Sequence, residues 1–393
     1  MEIQKDITDA IKYVGVNDHD IDLFEGQYVV PLGMAYNSYV VVDDKTVVFD
    51  TVDENFGEEW LGNLENALAG READYLVVQH MEPDHSANIA RFAAKYPKAV
   101  IVSSAPAFVM MKQFFGTDFA ERRMVVKEGD TLSTHSHEFV FVAAPMVHWP
   151  EVIVTYDKST KTLFSADGFG KFGANDVEDP EGWDCEARRY YFGIVGKFGQ
   201  QTQALLKKAA NLTISRICPL HGPVLDTPEA ISHAVELYSK WSSYECEERG
   251  VTICYTSVYG HTKAAALKLA EILRAKGCGR VAVSDLARDD QPEAVEDAFR
   301  HDRLVLATTT YNNGIFPWML HFIEHLTSRN YRNRTVGFIE NGTWAPVAAK
   351  VMKGMFEKSE NISFCKNVVT IKSALDEKSS AMLEALAEEL IGE

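Results

Sequence analysis

Hydrophobic and polar positions alternate in two different ways along this chain. From residue 1 to about 245, short apolar segments such as AIKYVGV, NSYVVV and KTVVFDT follow one another closely, broken by turn residues such as those at Asp43, Asp44 and Lys45. Antiparallel strands have this spacing. YLVVQH, AVIVSS, EFVFVAAP, VIVTYD and TLFSAD then mix with the helical stretches NIARFAAKY and TQALLKKAANL, which predicts a strand-rich α/β layered structure. After SKWSSYECEERG the grammar changes. VTICYTS, VAVSDL, RLVLATTT, RTVGFIE and VVTIK are nearly continuous apolar runs, as parallel strands covered on both faces require. Five helix-length patterns follow them in turn: TKAAALKLAEILRAKG, PEAVEDAFR, PWMLHFIEHL, PVAAKVMKGMFEK and SSAMLEALAEEL. Five βα units predict one doubly wound domain. The boundary is expected near residue 248, giving domains 1–248 and 249–393.

Composition changes this picture little but narrows the partners. With 46% hydrophobic and 24% charged residues in 393, the chain can bury two cores and is not a disordered one. No run approaches the ~20 apolar residues that span a bilayer, and MEIQKDITDA lacks the basic-then-apolar order of a signal peptide, so a cytoplasmic protein without membrane contact is expected. A formal charge of -18 repels phosphate backbones and argues against nucleic acid. The basic stretch SRNYRNR, Ser328 to Arg334, reads as a solvated turn. Cys185, Cys218, Cys246, Cys254, Cys278 and Cys365 have no metal-binding spacing and are expected to be reduced thiols, mostly in the core.

Coordinating chemistry concentrates in VVQHMEPDHSAN, where His80, Glu82, Asp84 and His85 fall within six positions after a buried strand. Partners appear downstream: His148 after VAAPMV, Asp167 after TLFSA, and His221 after RICPL. Each stands at a strand end where a loop begins, where side chains from different strands can meet. The order H-x-[HE]-x-D-H followed by H, D and H resembles the metallo-β-lactamase fold. Binuclear zinc hydrolases of that fold have histidine where this chain has Glu82. A carboxylate there makes the pocket harder and more anionic and shifts preference from zinc toward iron or manganese. HFIEH, His321 to His325, matches a zinc-protease pattern but has no third ligand, and His135 and His137 in STHSHE read as an exposed turn.

The second half carries TSVYGHTK directly after its first strand. Thr256, Ser257, Val258, Tyr259, Gly260, His261 and Thr262 would present hydroxyls and backbone N–H groups to a phosphate at a helix N-terminus. The stretch is neither a dinucleotide fingerprint nor a Walker loop. It resembles the phosphate loop of flavodoxins, which hold FMN. TTTYNNGIF supplies Thr309, Thr310, Tyr311, Asn312, Asn313 and Gly314, and ENGTWAP supplies Asn341, Gly342, Thr343, Trp344 and Ala345, both outside the carboxyl ends of strands where a doubly wound sheet binds its ligand.

A metallo-β-lactamase-like αββα sandwich with Glu82 in its motif, followed by a flavodoxin-like parallel sheet, resembles the flavodiiron proteins (A-type flavoproteins) over essentially the whole chain. LFEGQYVVPLGMAYNSY and SADGFG match as well. The resemblance implies one iron on His80, Glu82 and His148, a second on Asp84, His85 and His221, and Asp167 bridging them. It implies FMN as the second cofactor, and reduction of dioxygen to water or of nitric oxide to nitrous oxide. It further implies a head-to-tail homodimer, or a dimer of such dimers, that sets the FMN of one chain beside the irons of the other. No C-x-x-C pair follows the last expected helix, so electrons are expected from a separate donor such as rubredoxin or a reduced deazaflavin. Tyr28, Trp149 and Phe172 are expected around the irons. Two rival readings remain: a zinc-dependent hydrolase of the metallo-β-lactamase fold fused to a flavodoxin, and a non-catalytic electron carrier or flavin sensor.

Overall fold

The computed structural model describes residues 6–392, so the start of MEIQKDITDA lies partly outside it. The chain divides into two compact units, Met1–Ser239 and Lys240–Glu393. The first unit is built on two sheets. In the first of these, Ile11–Tyr13, Tyr39–Val42 and Thr46–Phe49 pair antiparallel, and Thr46–Phe49, Tyr75–Val77, Val100–Ser103 and Arg123–Val125 continue in parallel. In the second, Thr131–Ser133, Glu138–Ala143, Ile153–Asp157 and Thr162–Phe164 form an antiparallel meander, and Arg216–Cys218 closes it in parallel with Thr162–Phe164.

The alternation along these strands decides which faces meet. Val41, Val47, Phe49, Val77 and Val102 of the first sheet pack against Phe139, Phe141, Ile153, Phe164 and Cys218 of the second. The rings of Phe49 and Phe164 stack with centroids 4.0 Å apart. The opposite face of the first sheet, with Val40, Val48, Leu76 and Ile101, is covered by Trp60 and Leu64 of helix Gly57–Leu68, Phe92 of helix Ile89–Lys95 and Met111 of helix Ala105–Phe115. AIKYVGV does not form one strand. It divides into Ile11–Tyr13, on the first sheet, and Val16–Asp18, which pairs instead with Met34–Tyr36.

The second unit is a seven-stranded sheet ordered Val281–Asp285, Glu248–Tyr255, His301–Tyr311, Arg334–Asn341, with both Ile362–Phe364 and Val369–Ile371 beside the last. All these pairings are parallel, and Gly314–Ile315 adds a short antiparallel strand to His301–Tyr311. Leu269 and Leu273 of helix His261–Ala275 and Leu383, Leu386 and Leu390 of helix Glu377–Gly392 bury against Val251, Ile253, Val305 and Ile339. Among the described residues no helix is long and apolar enough to cross a membrane. Cys218, Cys254 and Cys365 are buried, the other three cysteines are partly buried, and all six are free thiols.

Three local expectations are corrected. His137 is not exposed: it is 5% accessible and its Nδ1 lies 2.7 Å from Asp157 Oδ2, one strand away. The Asp157 carboxylate beside it holds its imidazole above the usual value. Nor is Arg334 solvated, because its guanidinium is buried and donates to the carbonyls of Tyr244 (2.8 Å) and Phe299. The cysteines are half in the core rather than mostly so.

Candidate metal centre and flavin loops

In the first unit the strand ends converge. His80 follows Tyr75–Val77, Asp84 and His85 sit in the short helix Pro83–Ser86, Asp167 follows Thr162–Phe164, and His221 follows Arg216–Cys218. His148 enters from the connection between Glu138–Ala143 and Ile153–Asp157. Asp50, which ends Thr46–Phe49 with a left-handed backbone (φ 54°), accepts from Gln79 N at 2.7 Å and His80 N at 3.3 Å and so shapes the turn that starts the motif. Burial pushes its carboxyl up to about 6. Thr51 fixes the other end, its N and Oγ1 donating to His85 O at 2.8 and 2.9 Å. Gly222 has φ 77°, and a Cβ there would meet Lys171 Cγ at 2.6 Å, so the residue after His221 has to be glycine for the loop to lie this close.

Two donor clusters result. In one, His148 Nε2 lies 2.9 Å from Glu82 Oε2, 3.1 Å from Asp167 Oδ2 and 3.3 Å from His80 Nε2, and His80 Nε2 is 3.2 Å from Glu82 Oε2. In the other, His85 Nε2 lies 2.9 Å from His221 Nε2 and 3.2 Å from Asp84 Oδ2, and His221 Nε2 is 3.3 Å from the same oxygen. Asp167 turns its second oxygen to this cluster, Oδ1 standing 3.5 Å from His85 Nε2 and 3.9 Å from His221 Nε2. Donors held about 2.1 Å from a shared ion stand about 3.0 Å apart at right angles and about 3.4 Å apart at tetrahedral angles, which brackets most of these spacings.

Hydrogen bonding supports the same fit. His80 Nδ1 faces Glu151 Oε1 at 2.9 Å, and His221 Nδ1 faces Ala35 O at 2.7 Å. With those nitrogens donating, neutral imidazoles turn bare Nε2 lone pairs toward carboxylate oxygens. Acceptors then face acceptors, and both oxygens of Asp84 and of Asp167 are buried without a hydrogen-bond partner. Only cations, whether protons or metal ions, make such a cluster favourable. His80, Glu82, His148 and Asp167 therefore suit one metal ion, and Asp84, His85 and His221 a second.

Proton affinities define a pH window. Burial alone would push His148 down, but contacts with Asp167 and Glu82 outweigh it and raise its value to about 9 from 6.5 in the metal-free chain. Burial likewise opposes protonation of His80 and His85, and the facing carboxylates again prevail. Because the folded value of His148 is the higher one, its protonated contacts stabilise the metal-free fold fully below about pH 6.5 and are lost as pH rises through about 9. Metal must displace those protons. Over the interval from about pH 6.5 to 9, the thermal midpoint of metal-free protein is expected to fall while its affinity for Co(II), followed by absorption, rises.

Sequence reasoning missed several residues of this centre. Glu151 is the main one: its side chain is fully buried, Oε1 also accepts from Met81 N at 2.8 Å, and Oε2 has no partner. Glu25, in a turn with φ 49°, brings a carboxyl to Glu82, and desolvation together with the Glu82 charge pushes it up to about 7. Tyr190 packs against His221 with centroids 5.4 Å apart. Of the three expected aromatics, Trp149 meets His80 edge-on at 5.3 Å, whereas Tyr28 packs at a tilt on Phe172, which in turn meets Tyr190 edge-on. Among the decoys, His321 and His325 face each other on helix Pro317–Ser328, where Arg329 Nη1 donates to His325 Nδ1 at 3.0 Å.

In the second unit the expected loops surround a cavity of about 670 Å3 at the carboxyl ends of adjacent parallel strands. Ser257, Val258, Tyr259, His261 and Thr262 line one side; Thr309, Thr310, Tyr311, Asn312 and Asn313 a second; Asn341, Gly342, Thr343, Trp344 and Ala345 a third. Gly260, at φ 92°, turns the first loop into helix His261–Ala275, and its N donates to Ser257 Oγ at 3.1 Å. Thr256 lies beneath, buried, with its hydroxyl 2.6 Å from that of Thr308, and Gly260 and Gly314 shape loops without lining the cavity. Ser373, which had not been singled out, lines it; its N donates to Asn341 Oδ1 at 3.1 Å and its Oγ lies 3.0 Å from Thr343 Oγ1. Tyr259 and Trp344 are each 90% exposed, two aromatic faces at the edge of a space of nucleotide size.

Fold and donor set thus describe a two-module protein: a metallo-β-lactamase-like sandwich with a seven-residue cluster of candidate metal ligands, and a flavodoxin-like unit. Residues 34–222 match the ODP family beta lactamase and residues 252–380 a flavodoxin domain. The anaerobic nitric oxide reductase flavorubredoxin of Escherichia coli O1:K1 / APEC is 31% identical over 351 residues, 86% of this chain and 72% of that protein. Rubredoxin oxygen:oxidoreductase from Desulfovibrio gigas superposes with a TM-score of 0.91 at 26% identity, over 98% of this chain and 96% of the other. The flavodiiron protein from Giardia intestinalis shares the fold, with a TM-score of 0.87 at 23% identity over 100% and 98% of the two chains. The chain belongs to the flavodiiron protein family and is an oxidoreductase.

Proposed function

We propose that this protein reduces dioxygen to water, nitric oxide to nitrous oxide, or both, at a non-haem diiron centre fed through FMN. The single observation that carries the reading is the carboxylate of Asp167, buried without hydrogen bonds and sharing its two oxygens between two donor clusters. His80, Glu82, His148 and Asp167 Oδ2 would hold one iron, and Asp84, His85, His221 and Asp167 Oδ1 the other. When bound, a ferrous pair and reduced FMN supply two electrons each, which balances four for dioxygen and two for each pair of nitric oxide molecules. The protein's own part is to position. Glu151 and Ala35 O keep the Nε2 atoms of His80 and His221 bare and aimed. Three carboxylates would leave two divalent ions with one residual positive charge, which suits a pair that must accept and return electrons more than a hydrolytic zinc site does.

The loops around the second cavity would hold FMN, with its phosphate at Ser257–Thr262 and its ring against the loop of Thr309, Thr310, Tyr311, Asn312 and Asn313, near Trp344. Rubredoxin is named with the Desulfovibrio gigas relative, and an external donor of that kind, or a reduced deazaflavin, would reduce the flavin here. A head-to-tail homodimer, alone or doubled, would bring the flavin of one chain to the metal centre of the other, and sedimentation should find no monomer in the active fraction. The test of function is anaerobic loading with iron and FMN, reduction by chemically reduced rubredoxin, and a pulse of each gas. Many turnovers of dioxygen without hydrogen peroxide, or of nitric oxide with nitrous oxide accumulating, are expected. Equal activity from zinc-loaded protein, or peroxide as the sole product, would refute the reading.

A further inference from the structure

A cavity of the first unit lies beside the loops that carry candidate metal ligands, with a volume of about 190 Å3. Val142, Val154 and Leu163 of the second sheet form one wall, and Leu205 and Leu206 of helix Gly199–Ala209, with Leu212 just after it, form the facing one. The remaining wall comes from the two loops that present metal ligands: Val147 immediately precedes His148, while Ser165, Gly168 and Phe169 bracket Asp167. Backbone conformation sets that bracket, since Ala166 and Phe169 both adopt left-handed angles, φ 49° and 66°.

The polar groups of this cavity are engaged in hydrogen bonds, Thr202 Oγ1 with Phe198 O at 3.2 Å among them. Ser165 Oγ donates to Gly168 O at 2.6 Å, and Phe169 N donates to Tyr238 Oη at 2.7 Å. At the rim, Lys208 Nζ donates to Glu128 Oε2 at 2.9 Å and to Ala143 O at 2.8 Å, and Glu128 Oε2 also accepts from Ala143 N at 2.7 Å. A polar ligand entering here would give up its water for aliphatic walls, at a cost of several kcal/mol. An apolar one loses nothing comparable, and cavities with aliphatic walls take up apolar guests such as xenon. Volume narrows the guest further. The space is below the ~300 Å3 at which organic-ligand pockets begin, yet several times the ~30 Å3 that a water-sized molecule occupies.

We propose that this cavity is a docking chamber for a small uncharged diatomic gas, holding dioxygen or nitric oxide against the loops of His148 and Asp167 before reaction. The assignment rests on the gas-reducing reading of the metal centre. Its logic is partition: both gases favour apolar surroundings over water, so an apolar cavity against the ligand-bearing loops raises their local concentration without any specific bond.

Xenon is the probe. Crystals of the iron- and FMN-loaded protein pressurised with xenon should show the atom among Val142, Val154 and Leu206. Leu206→Trp and, separately, Leu205→Phe fill the space from a half-buried helix face. Each should exclude xenon, keep the iron content of the parent, and raise KM for the gas by about threefold or more while kcat at saturating gas is unchanged. Having two independent variants guards against one that fails to fold. A protein that turns over gas with no xenon in this cavity, or filled variants whose kcat/KM for gas equals that of the parent, would overturn the chamber and leave the catalytic reading standing. Xenon in the cavity of a protein that consumes neither gas would overturn both.

Discussion

Asp167→Ala is expected to lower gas turnover by at least about a hundredfold and to strip most of the iron, while the chain stays folded. Losing a residue that only orients a ligand typically costs 10- to 100-fold in metal affinity, so removing a shared ligand sets a floor at the upper end of that range. In the metal-free chain the same change takes a partner from the His148 imidazole, 3.1 Å away, and so lowers its proton affinity, while Glu82 at 2.9 Å remains to face it. Asp167→Asn sharpens the test. An amide keeps one oxygen and replaces the other with a group that cannot ligate, so iron per chain should fall from about two to about one. Elemental analysis, with circular dichroism to confirm folding, reads both results. An alanine variant that retains two irons and full turnover would remove the bridge from the mechanism.

The second large effect is expected at Glu151, which touches no metal position itself. Glu151→Ala should weaken metal binding by about 10- to 100-fold, because His80 would lose the acceptor that fixes its tautomer and its aim. Glu151→Gln separates positioning from charge. The amide oxygen can still accept from His80 and Met81 N, so the glutamine variant should recover most of the affinity if orientation is the main contribution. It should recover little if the negative charge is what raises the basicity of His80. Equilibrium competition for Co(II) against a chelator measures this without reliance on turnover. Parent-like affinity in the alanine variant would reduce Glu151 to a packing residue.

The candidate ligands were legible as a group because their chemistry is compressed. His80, Glu82, Asp84 and His85 stand within six residues behind an apolar strand, and His148, Asp167 and His221 each end or follow another. The alternation of apolar runs with helix-length patterns marked the doubly wound half for the same reason, since strand and helix periods are read over many residues at once. Glu151 escaped because a single carboxylate after Trp149-Pro150 looks like a surface loop; only the docking of the strand that starts two residues later, with Ile153 N donating to Gln79 O at 3.1 Å, carries it to His80. His137 and Arg334 failed in the opposite direction. Each sits in a stretch as polar as a solvated turn, and each is buried by a partner distant in sequence: Asp157 for the histidine, the carbonyls of Tyr244 and Phe299 for the arginine. Local pattern reports solvent exposure on average, but one tertiary hydrogen-bond partner is enough to reverse it. Ser373 belongs with these, since its place at the cavity follows from the final strand returning beside Arg334–Asn341.

The forked carboxylate between the two histidine pairs has a bearing on assembly. Its orientation is common property: an ion held by one oxygen would fix the side chain and so hold the other oxygen in place for a second ion. Uptake should accordingly be steep rather than stepwise, with singly loaded molecules scarce at half saturation. A cell that runs short of iron would then hold a mixture of full and empty copies instead of a population of half-competent ones.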